Sequence, residues 1–118
     1  MVAKKGSYLP NKGDVVWLDF NPVRGHEQGG RRPALIVSPG KYNAKSGLAL
    51  VCPVTSQKKG YPFEVEFKIK NAQGVILADQ IRGIDWKQRR AEKIGTISET
   101  VMTDVQEFIQ KLVNNGDK

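Results

Sequence analysis

Short runs of β-branched and aromatic residues, separated by turns rich in glycine, proline and asparagine, occupy most of this chain. One run, residues 63–70, alternates apolar and charged side chains throughout, which indicates a strand with one face on a core and the other in water. Several short strands at close spacing predict an antiparallel sheet that curls into a barrel. The segments predicted as strands are residues 15–20, 34–37, 48–55, 63–70, 75–86 and 91–97.

In the last quarter of the chain, apolar residues are spaced as in a helix rather than as in a strand. Apolar residues recur there at the spacing of one face of a helix: Val101, Val105, Phe108, Ile109 and Leu112. Ser98 is a suitable N-cap, and residues 114–116 end the pattern. The fold class predicted from the residues is therefore β-rich with α, a barrel-like sheet packed by one C-terminal helix.

Other local expectations concern connections and prolines. Residues 41–47 are predicted to be a connector, and residues 71–74 a hairpin turn between strands. Pro33 is expected to begin the second strand, and Pro53 indicates a bulge or an edge position in the third.

The length of 118 residues fits a single domain, residues 1–118, in which the short, basic residues 1–9 are expected to form a flexible arm. The longest apolar run, residues 48–54, is far shorter than a membrane span, and no secretion signal is visible. Cys52 is the only cysteine and sits in that run, so we expect a core residue and a cytoplasmic, reducing location. One cysteine and one histidine cannot form a zinc site, and we expect neither a metal nor a cofactor.

The basic charge is unevenly distributed. The chain has a net charge of +7, but residues 1–90 hold 16 basic and 7 acidic residues, whereas residues 91–118 hold 3 basic and 5 acidic ones. Such an excess suits a polyanionic partner, either nucleic acid or an acidic protein segment, although a solvated surface without a partner has the same composition.

Three polar segments follow or precede the predicted strands: residues 25–33, 53–59 and 79–82. Glycines in the first would let a backbone approach a ligand, and arginine suits phosphate because its planar group donates two hydrogen bonds at once. Each segment could equally be a surface loop, a solvated turn or ordinary strand alternation. His26 is the only histidine, and no nucleophile motif accompanies it. Cleavage of a phosphodiester by this chain would therefore proceed without metal and rely on Glu, Arg and hydroxyl groups, with the one histidine as a further option.

Five blocks in these positions resemble those of the MazF/PemK family of endoribonuclease toxins, in the same order and over roughly residues 8–113. One of them spans residues 27–38 and begins with a Glu-x-x-Gly-x-Arg-Pro pattern. The others are residues 13–20, 53–56, 59–65 and 77–82.

The resemblance implies an SH3-like (PemK/CcdB-like) antiparallel β-barrel with a C-terminal α-helix, a homodimer, and metal-independent cleavage of single-stranded RNA. In this reaction the 2′-hydroxyl attacks its own phosphate and leaves a 2′,3′-cyclic phosphate and a 5′-hydroxyl. Cleavage of mRNA in this way inhibits translation and growth. The implied partners are RNA and a cognate antitoxin with a flexible acidic tail, and no membrane.

The resemblance also implies roles for single residues. Arg32 and Thr55 correspond to the catalytic pair of the family, and Glu27 corresponds to the glutamate of its Glu-x-x-Gly-x-Arg-Pro block. By their chemistry, Arg32 would stabilise the attacked phosphate, Thr55 would donate to a non-bridging oxygen, and Glu27 is the better-matched base. The residues expected to position RNA are His26, Arg31, Ser56, Lys59, Gln80 and Arg82.

Three other functions remain open at this point. A non-catalytic nucleic-acid-binding module would use the same basic loops without cleaving RNA. A gyrase poison of the CcdB type would share the fold, but acts through a C-terminal aromatic residue that this tail lacks. An SH3-like adaptor would need an aromatic groove for proline-rich peptides.

Overall fold

A computed structural model describes residues 8–20 and 30–114 of the chain. Within these ranges the chain forms seven strands, two α-helices and one 3-10 helix. In chain order they are β1 (Asp14–Asp19), β2 (Arg31–Ile36), α1 (Gly40–Ser46), β3 (Leu48–Thr55), β4 (Glu64–Ile69), β5 (Ala72–Leu77), the 3-10 helix (Ala78–Gln80), β6 (Arg82–Asp85), β7 (Glu92–Thr96) and α2 (Glu99–Asn114).

The strands form one curled antiparallel sheet in the order β4-β5-β3-β2-β1-β7, and β6 pairs with β3 outside this path. The long strand β3 joins the two parts of the sheet: Leu48 to Val51 pair with β6, whereas Val54 and Thr55 pair with β5. Together with helix α2 on one side, this half-barrel confirms the predicted fold class.

The central strands β1, β2 and β3 contribute buried side chains to both of their faces. Val15 of β1 belongs to a core cluster with helix α2, whereas its neighbour Val16 belongs to a second cluster on the opposite face, around Trp86. Because successive side chains of a strand point to opposite faces, such strands have continuous apolar runs rather than an alternating pattern.

Helix α2 begins as predicted. The backbone N–H of Val101 donates to the Ser98 hydroxyl at 3.2 Å, which is the expected N-cap contact. Four members of the predicted stripe pack against the first cluster: Val101, Val105, Phe108 and Ile109. The fifth, Leu112, is 51% exposed, because no described residue covers the last turn, and the buried Met102 was not part of the prediction.

The predicted connector at residues 41–47 is wrong, since helix α1 spans Gly40–Ser46. Its buried Asn43 donates from Nδ2 to the carbonyl oxygens of Pro10 at 2.8 Å and Ser38 at 3.1 Å. The Asn43 carbonyl in turn accepts a hydrogen bond from the Trp86 indole at 3.0 Å. Buried hydrogen bonds of Asn43 therefore hold this short helix in place. Such contacts produce no helical spacing of apolar residues in the sequence.

Several predicted boundaries also differ from the structure. Strand β2 begins at Arg31, so Pro33 lies inside the strand, opposite Trp17, rather than at its start. Pro53 is not on an edge strand, because β3 is central, but it lies in the gap between the residues of β3 that pair with β6 and with β5. The predicted strand at residues 75–86 is interrupted by the 3-10 helix, after which β6 pairs with β3 instead. Strand β5 already begins at Ala72, so the hairpin turn is shorter than predicted.

The predicted flexible arm covered residues 1–9, of which residues 1–7 lie outside the described residues. Tyr8 and Leu9 pack against the second cluster, and the Tyr8 hydroxyl donates to the buried Asp14 carboxylate at 2.5 Å. Burial and this carboxylate raise the pKa of Tyr8 well above its usual value. In residues 8–20 and 30–114, no helix is both long and apolar enough to span a bilayer.

Candidate active site

A groove of about 540 Å³ opens where strands β2 and β3 meet the segment that follows β5. It brings together four of the predicted site residues, which come from three separate parts of the sequence. The lining residues are Phe20, Arg32, Pro53, Val54, Thr55, Leu77, Gln80, Ile81 and Arg82.

Arg32 has an exposed side chain on β2, opposite Leu18 of β1. Within the described ranges, neither a hydrogen bond nor an ion pair engages its guanidinium group. Since a guanidinium group presents up to two parallel N–H donors to a phosphate, Arg32 offers an anion-binding group at the wall of the groove.

Arg31 is not among the lining residues of the groove. Its guanidinium donates to Asp19 at 2.8 Å, to Glu92 at 3.2 Å and to the carbonyl of Arg90 at 2.7 Å. Desolvation opposes the charge of Arg31, yet the hydrogen bonds and charges of Asp19 and Glu92 raise its pKa above the ordinary value. The structure therefore places Arg31 in a network of the protein's own charges.

Thr55 is the last residue of β3 and lines the groove. The backbone N–H of Gln57 donates to the Thr55 hydroxyl oxygen at 3.1 Å. A hydroxyl has one hydrogen and two lone pairs, so this contact uses a lone pair and leaves the hydrogen for an external acceptor. A phosphate oxygen is such an acceptor.

The backbone of Thr55 is packed against Gly74 of β5. A Cβ atom at position 74 would lie 2.7 Å from the Thr55 carbonyl oxygen and 3.1 Å from a methyl group of Val54. Any side chain at this position would thus push the end of β3, and Thr55 with it, away from β5.

The loop that follows Thr55 is held by Glu64, the first residue of β4. Its carboxylate accepts hydrogen bonds from the backbone N–H groups of Lys59, at 3.1 Å, and Gly60, at 2.9 Å. Ser56 and the Lys59 side chain are exposed on this loop, beside the groove and not among its lining residues.

Arg82 lies over the ring of Phe20, with its guanidinium carbon 5.4 Å from the ring centroid. Arg89 fixes this end of β1 by donating to the carbonyl oxygens of Phe20 and, at 2.9 Å, of Asp19. Phe20 was assigned to a strand from the sequence, and its place in the groove was missed. The available signal was an aromatic residue at the junction of a strand and a polar, glycine-rich segment.

His26 and Glu27 lie outside the described residues. The described residues on either side of that segment are close together, since the Phe20 N–H donates to the Gly30 carbonyl at 3.4 Å. In the described parts of the chain, no three His, Cys, Asp or Glu side chains are grouped so that they could hold a metal ion. Cys52 is fully buried, as predicted, and burial together with the charge of Asp79 raises the pKa of its thiol to about 12.

Comparison with known proteins identifies related chains. Residues 11–113 match the family described as PemK-like, MazF-like toxin of type II toxin–antitoxin system. The chain is 44% identical over 106 residues to the endoribonuclease toxin MazF of Escherichia coli K12, covering 90% of this chain and 96% of that protein. It is 40% identical over 108 residues to the endoribonuclease EndoA of Bacillus subtilis 168, covering 86% of this chain and 92% of that protein.

Solved structures of MazF proteins also resemble this chain. The crystal structure of MazF from Deinococcus radiodurans superimposes with a TM-score of 0.81 at 48% identity, over 91% of this chain and 98% of that one. A crystal structure of a MazE–MazF complex from the same organism matches with a TM-score of 0.82 at 43% identity, over 92% of this chain and 98% of that one.

Proposed function

Because the chain belongs to the PemK-like, MazF-like family of toxins of type II toxin–antitoxin systems, we propose that it is an endoribonuclease that cuts single-stranded RNA without a metal ion. The observation that carries this proposal is that Arg32 of β2 and Thr55 of β3 line the same groove. The relatives named above are endoribonucleases, which favours RNA cleavage over gyrase poisoning, binding without cleavage, or an adaptor function.

In the proposed reaction both the nucleophile and the leaving group belong to the RNA strand. The 2′-hydroxyl oxygen attacks the adjacent phosphorus, the bond to the 5′ oxygen breaks, and the products are a 2′,3′-cyclic phosphate and a 5′-hydroxyl. Negative charge accumulates on the non-bridging oxygens as the new bond forms. Arg32 would stabilise this charge with two N–H groups, and Thr55 would add its hydroxyl hydrogen. Each such donor is worth on the order of 10²–10³ in rate.

Two proton transfers complete the reaction, one from the 2′-hydroxyl and one to the departing 5′ oxygen. A guanidinium group holds its proton too tightly to serve well as an acid or a base, so any acid role of Arg32 is secondary to its electrostatic role. We assign the base to Glu27, since a carboxylate exchanges protons readily near neutral pH when its environment is tuned.

The remaining lining residues would position the RNA. The Gln80 amide both donates and accepts hydrogen bonds, which suits a base edge, while Arg82 is a charged partner for a phosphate. Phe20, Leu77 and Ile81 provide apolar surface for a base. For Ser56, Lys59 and His26 we keep the proposed role in RNA binding. Asp19 and Glu92 engage the guanidinium of Arg31, so binding of RNA by Arg31 would require an exchange of these partners.

The proposed partners are a cognate antitoxin and a second copy of this chain, in the cytoplasm where mRNA is translated. Support for the antitoxin comes from the MazE–MazF crystal structures of Deinococcus radiodurans and from the net charge of +7, which suits an acidic tail. We expect that tail and a non-cleavable RNA to exclude each other from the groove, and added salt to slow association of the tail. Simultaneous full occupancy by both would contradict a shared site.

The proposed homodimer is tested by light scattering at low protein concentration, which measures the mass of the particle in solution.

The experiment that tests the proposed activity uses the purified chain and a mixed-sequence single-stranded RNA in the presence of EDTA. We expect cleavage at a short preferred sequence, with 2′,3′-cyclic phosphate and 5′-hydroxyl ends. A matched RNA with 2′-deoxyribose at the cleaved step should bind without being cut. Cleavage of the deoxy substrate, or cleavage that EDTA abolishes, would contradict the mechanism.

A further inference from the structure

A second groove, of about 530 Å³, lies on the hairpin formed by β4 and β5. Of its lining residues, only Lys58 lies in a polar segment singled out from the sequence, residues 53–59, and none of them lines the first groove. The lining residues are Lys58, Glu66, Phe67, Lys68, Gln73, Gly74 and Val75.

The two grooves are adjacent on one face of the sheet. Thr55 is opposite Val75, and Val75 is opposite Glu66, so these three residues form one cross-strand row over β3, β5 and β4. Residues opposite each other in neighbouring strands point to the same face, and the strands are about 4.8 Å apart. Thr55 lines the first groove, whereas Val75 and Glu66 line the second. The second groove therefore begins about one strand spacing from Thr55.

The neighbouring positions give the same arrangement. Leu77 of β5 lines the first groove, and Val75, two residues earlier in the strand, lines the second. Alternate residues of a strand share a face, so the two side chains lie side by side along β5. Lys68 of β4 is opposite Gln73 of β5, and both belong to the lining of the second groove.

The charges of the second groove suit a phosphate chain. Lys58 and Lys68 supply two ammonium groups, and Glu66 forms an ion pair with Lys58. The two side chains of this pair are 62% and 58% exposed. An exposed pair of this kind contributes little to stability, so a phosphate can replace Glu66 as the partner of Lys58 at little cost.

We propose that the second groove binds the RNA strand where it continues beyond the cleaved phosphate, with Lys58 and Lys68 contacting its phosphates. This inference rests on the proposed function, because it assumes that RNA occupies the first groove. A strand longer than the nucleotides at Thr55 has to leave that groove, and the second groove opens directly beside it. Lysines bind phosphates without reading the base, so the contact adds affinity and no sequence preference.

The test compares short and extended non-cleavable RNAs. The short RNA contains only the mapped cleavage sequence with 2′-deoxyribose at the cleaved step, and the extended ones add a few uridines on the 5′ or the 3′ side. Dissociation constants are measured by fluorescence anisotropy over a range of salt concentrations. For the native chain we expect one of the two extensions to tighten binding roughly 3- to 10-fold at moderate salt, through added phosphate contacts.

Three variants examine the origin of this gain. Lys58→Gln and Lys68→Gln should each reduce the gain from extension, and each should lower the salt slope by about 0.7. Glu66→Gln should increase the gain, since it releases Lys58 from its ion pair. Lys58→Gln and Glu66→Gln break the same ion pair, so opposite effects cannot come from loss of that pair as a structural contact. Lys41→Gln, an equal charge change on α1, should leave the ratio of the two affinities unchanged.

The outcomes separate this inference from the proposed function. If the short RNA is bound and its ribose form is cut, but neither extension tightens binding, the inference is wrong and the proposed function stands. A gain that is insensitive to both lysines also overturns it. If the lysine variants weaken binding of an acidic antitoxin tail and not of extended RNA, the groove belongs to the protein partner. If no RNA is bound or cut, the proposed function fails and the inference fails with it.

Discussion

The hydroxyl oxygen of Thr55 accepts a hydrogen bond from the backbone N–H of Gln57 at 3.1 Å, at the point where β3 ends and the exposed loop begins. The same side chain therefore closes the turn with a lone pair and keeps its hydrogen available for another acceptor. At the wall of the groove, this hydrogen would be a donor for a phosphate oxygen, held in place before RNA binds.

Replacement of Thr55 tests whether its hydroxyl is needed for cleavage. Thr55→Ser keeps an oxygen that can both close the turn and donate, so we expect a cleavage rate within about 10-fold of the native one. Thr55→Val has a similar shape but no hydroxyl, and should lose on the order of 10²–10³ in single-turnover rate. Circular dichroism of both variants checks the fold. Equal rates for Thr55→Val and Thr55→Ser would show that the hydroxyl does not act on the phosphate.

Gly74→Ala tests how closely β5 must approach the end of β3. The added Cβ would meet the Thr55 carbonyl oxygen at 2.7 Å, so the strands must separate. We expect a loss of about 1–3 kcal/mol in the free energy of unfolding, together with slower cleavage. Gly83→Ala is the matched control, because a Cβ there meets only a Leu50 methyl group at an ordinary 3.7 Å. If Gly74→Ala melts and cleaves like the native chain, the close approach is not required.

Asp19→Asn tests the charge network at the end of β1. Desolvation raises the pKa of Asp19, but its hydrogen bonds and charge interactions with Arg31 and Arg90 outweigh this effect and lower the pKa below the usual value. A lowered pKa adds stability above the unfolded-state pKa of about 3.9, and this stability is lost as the pH falls through the folded-state value. We expect the free energy of unfolding of the native chain to exceed that of Asp19→Asn by about 1 kcal/mol at pH 7. This difference should shrink below pH 4.

Urea unfolding at several pH values measures this difference. Asp104→Asn, on the exposed face of helix α2, is the control and should change stability little at either pH. A deficit of Asp19→Asn that is as large at pH 3 as at pH 7 would show that its cause is not the carboxylate charge.

Cys52 offers a probe of folding that is separate from the groove chemistry. Its thiol is fully buried with a pKa raised to about 12, so at pH 8 only about 10⁻⁴ of the folded molecules carry a thiolate. We expect iodoacetamide to leave the folded chain unmodified and to label it once urea unfolds it. Rapid labelling of the folded chain would mean that the core around Cys52 opens readily.

Much of the fold could be predicted from the sequence because strand and helix periods are local signals. The alternation of residues 63–70 identified β4, and the stripe of Val101, Val105, Phe108 and Ile109 identified the packed face of α2. Helix α1 was missed because it is held by Asn43, whose hydrogen bonds reach Pro10, Ser38 and Trp86. Contacts of this kind join distant parts of the chain and leave no period in the sequence.

The site could be predicted only as separate segments. Residues 25–33, 53–59 and 79–82 were recognised as polar segments and matched to family blocks, but the residues alone did not bring them together. The register of β3 with β2 and β5 does so, since it places Thr55, Arg32 and the turn after β5 around one groove. Arg31 and Arg32 have different environments because successive side chains of a strand point to opposite faces, and β2 begins at Arg31. The sequence alone placed the start of this strand at Pro33, so it could not distinguish the two arginines.

The central claim is that Arg32 and Thr55 act together on one phosphate. The most direct test measures single-turnover cleavage of the mapped RNA in EDTA by the native chain, Arg32→Ala, Thr55→Val and the double variant. We expect each single variant to lose at least about 10² in rate, with binding of the non-cleavable RNA retained, and the double variant to lose much less than the product of the two losses. Cleavage by Arg32→Ala at the native rate, or losses that multiply, would contradict the account.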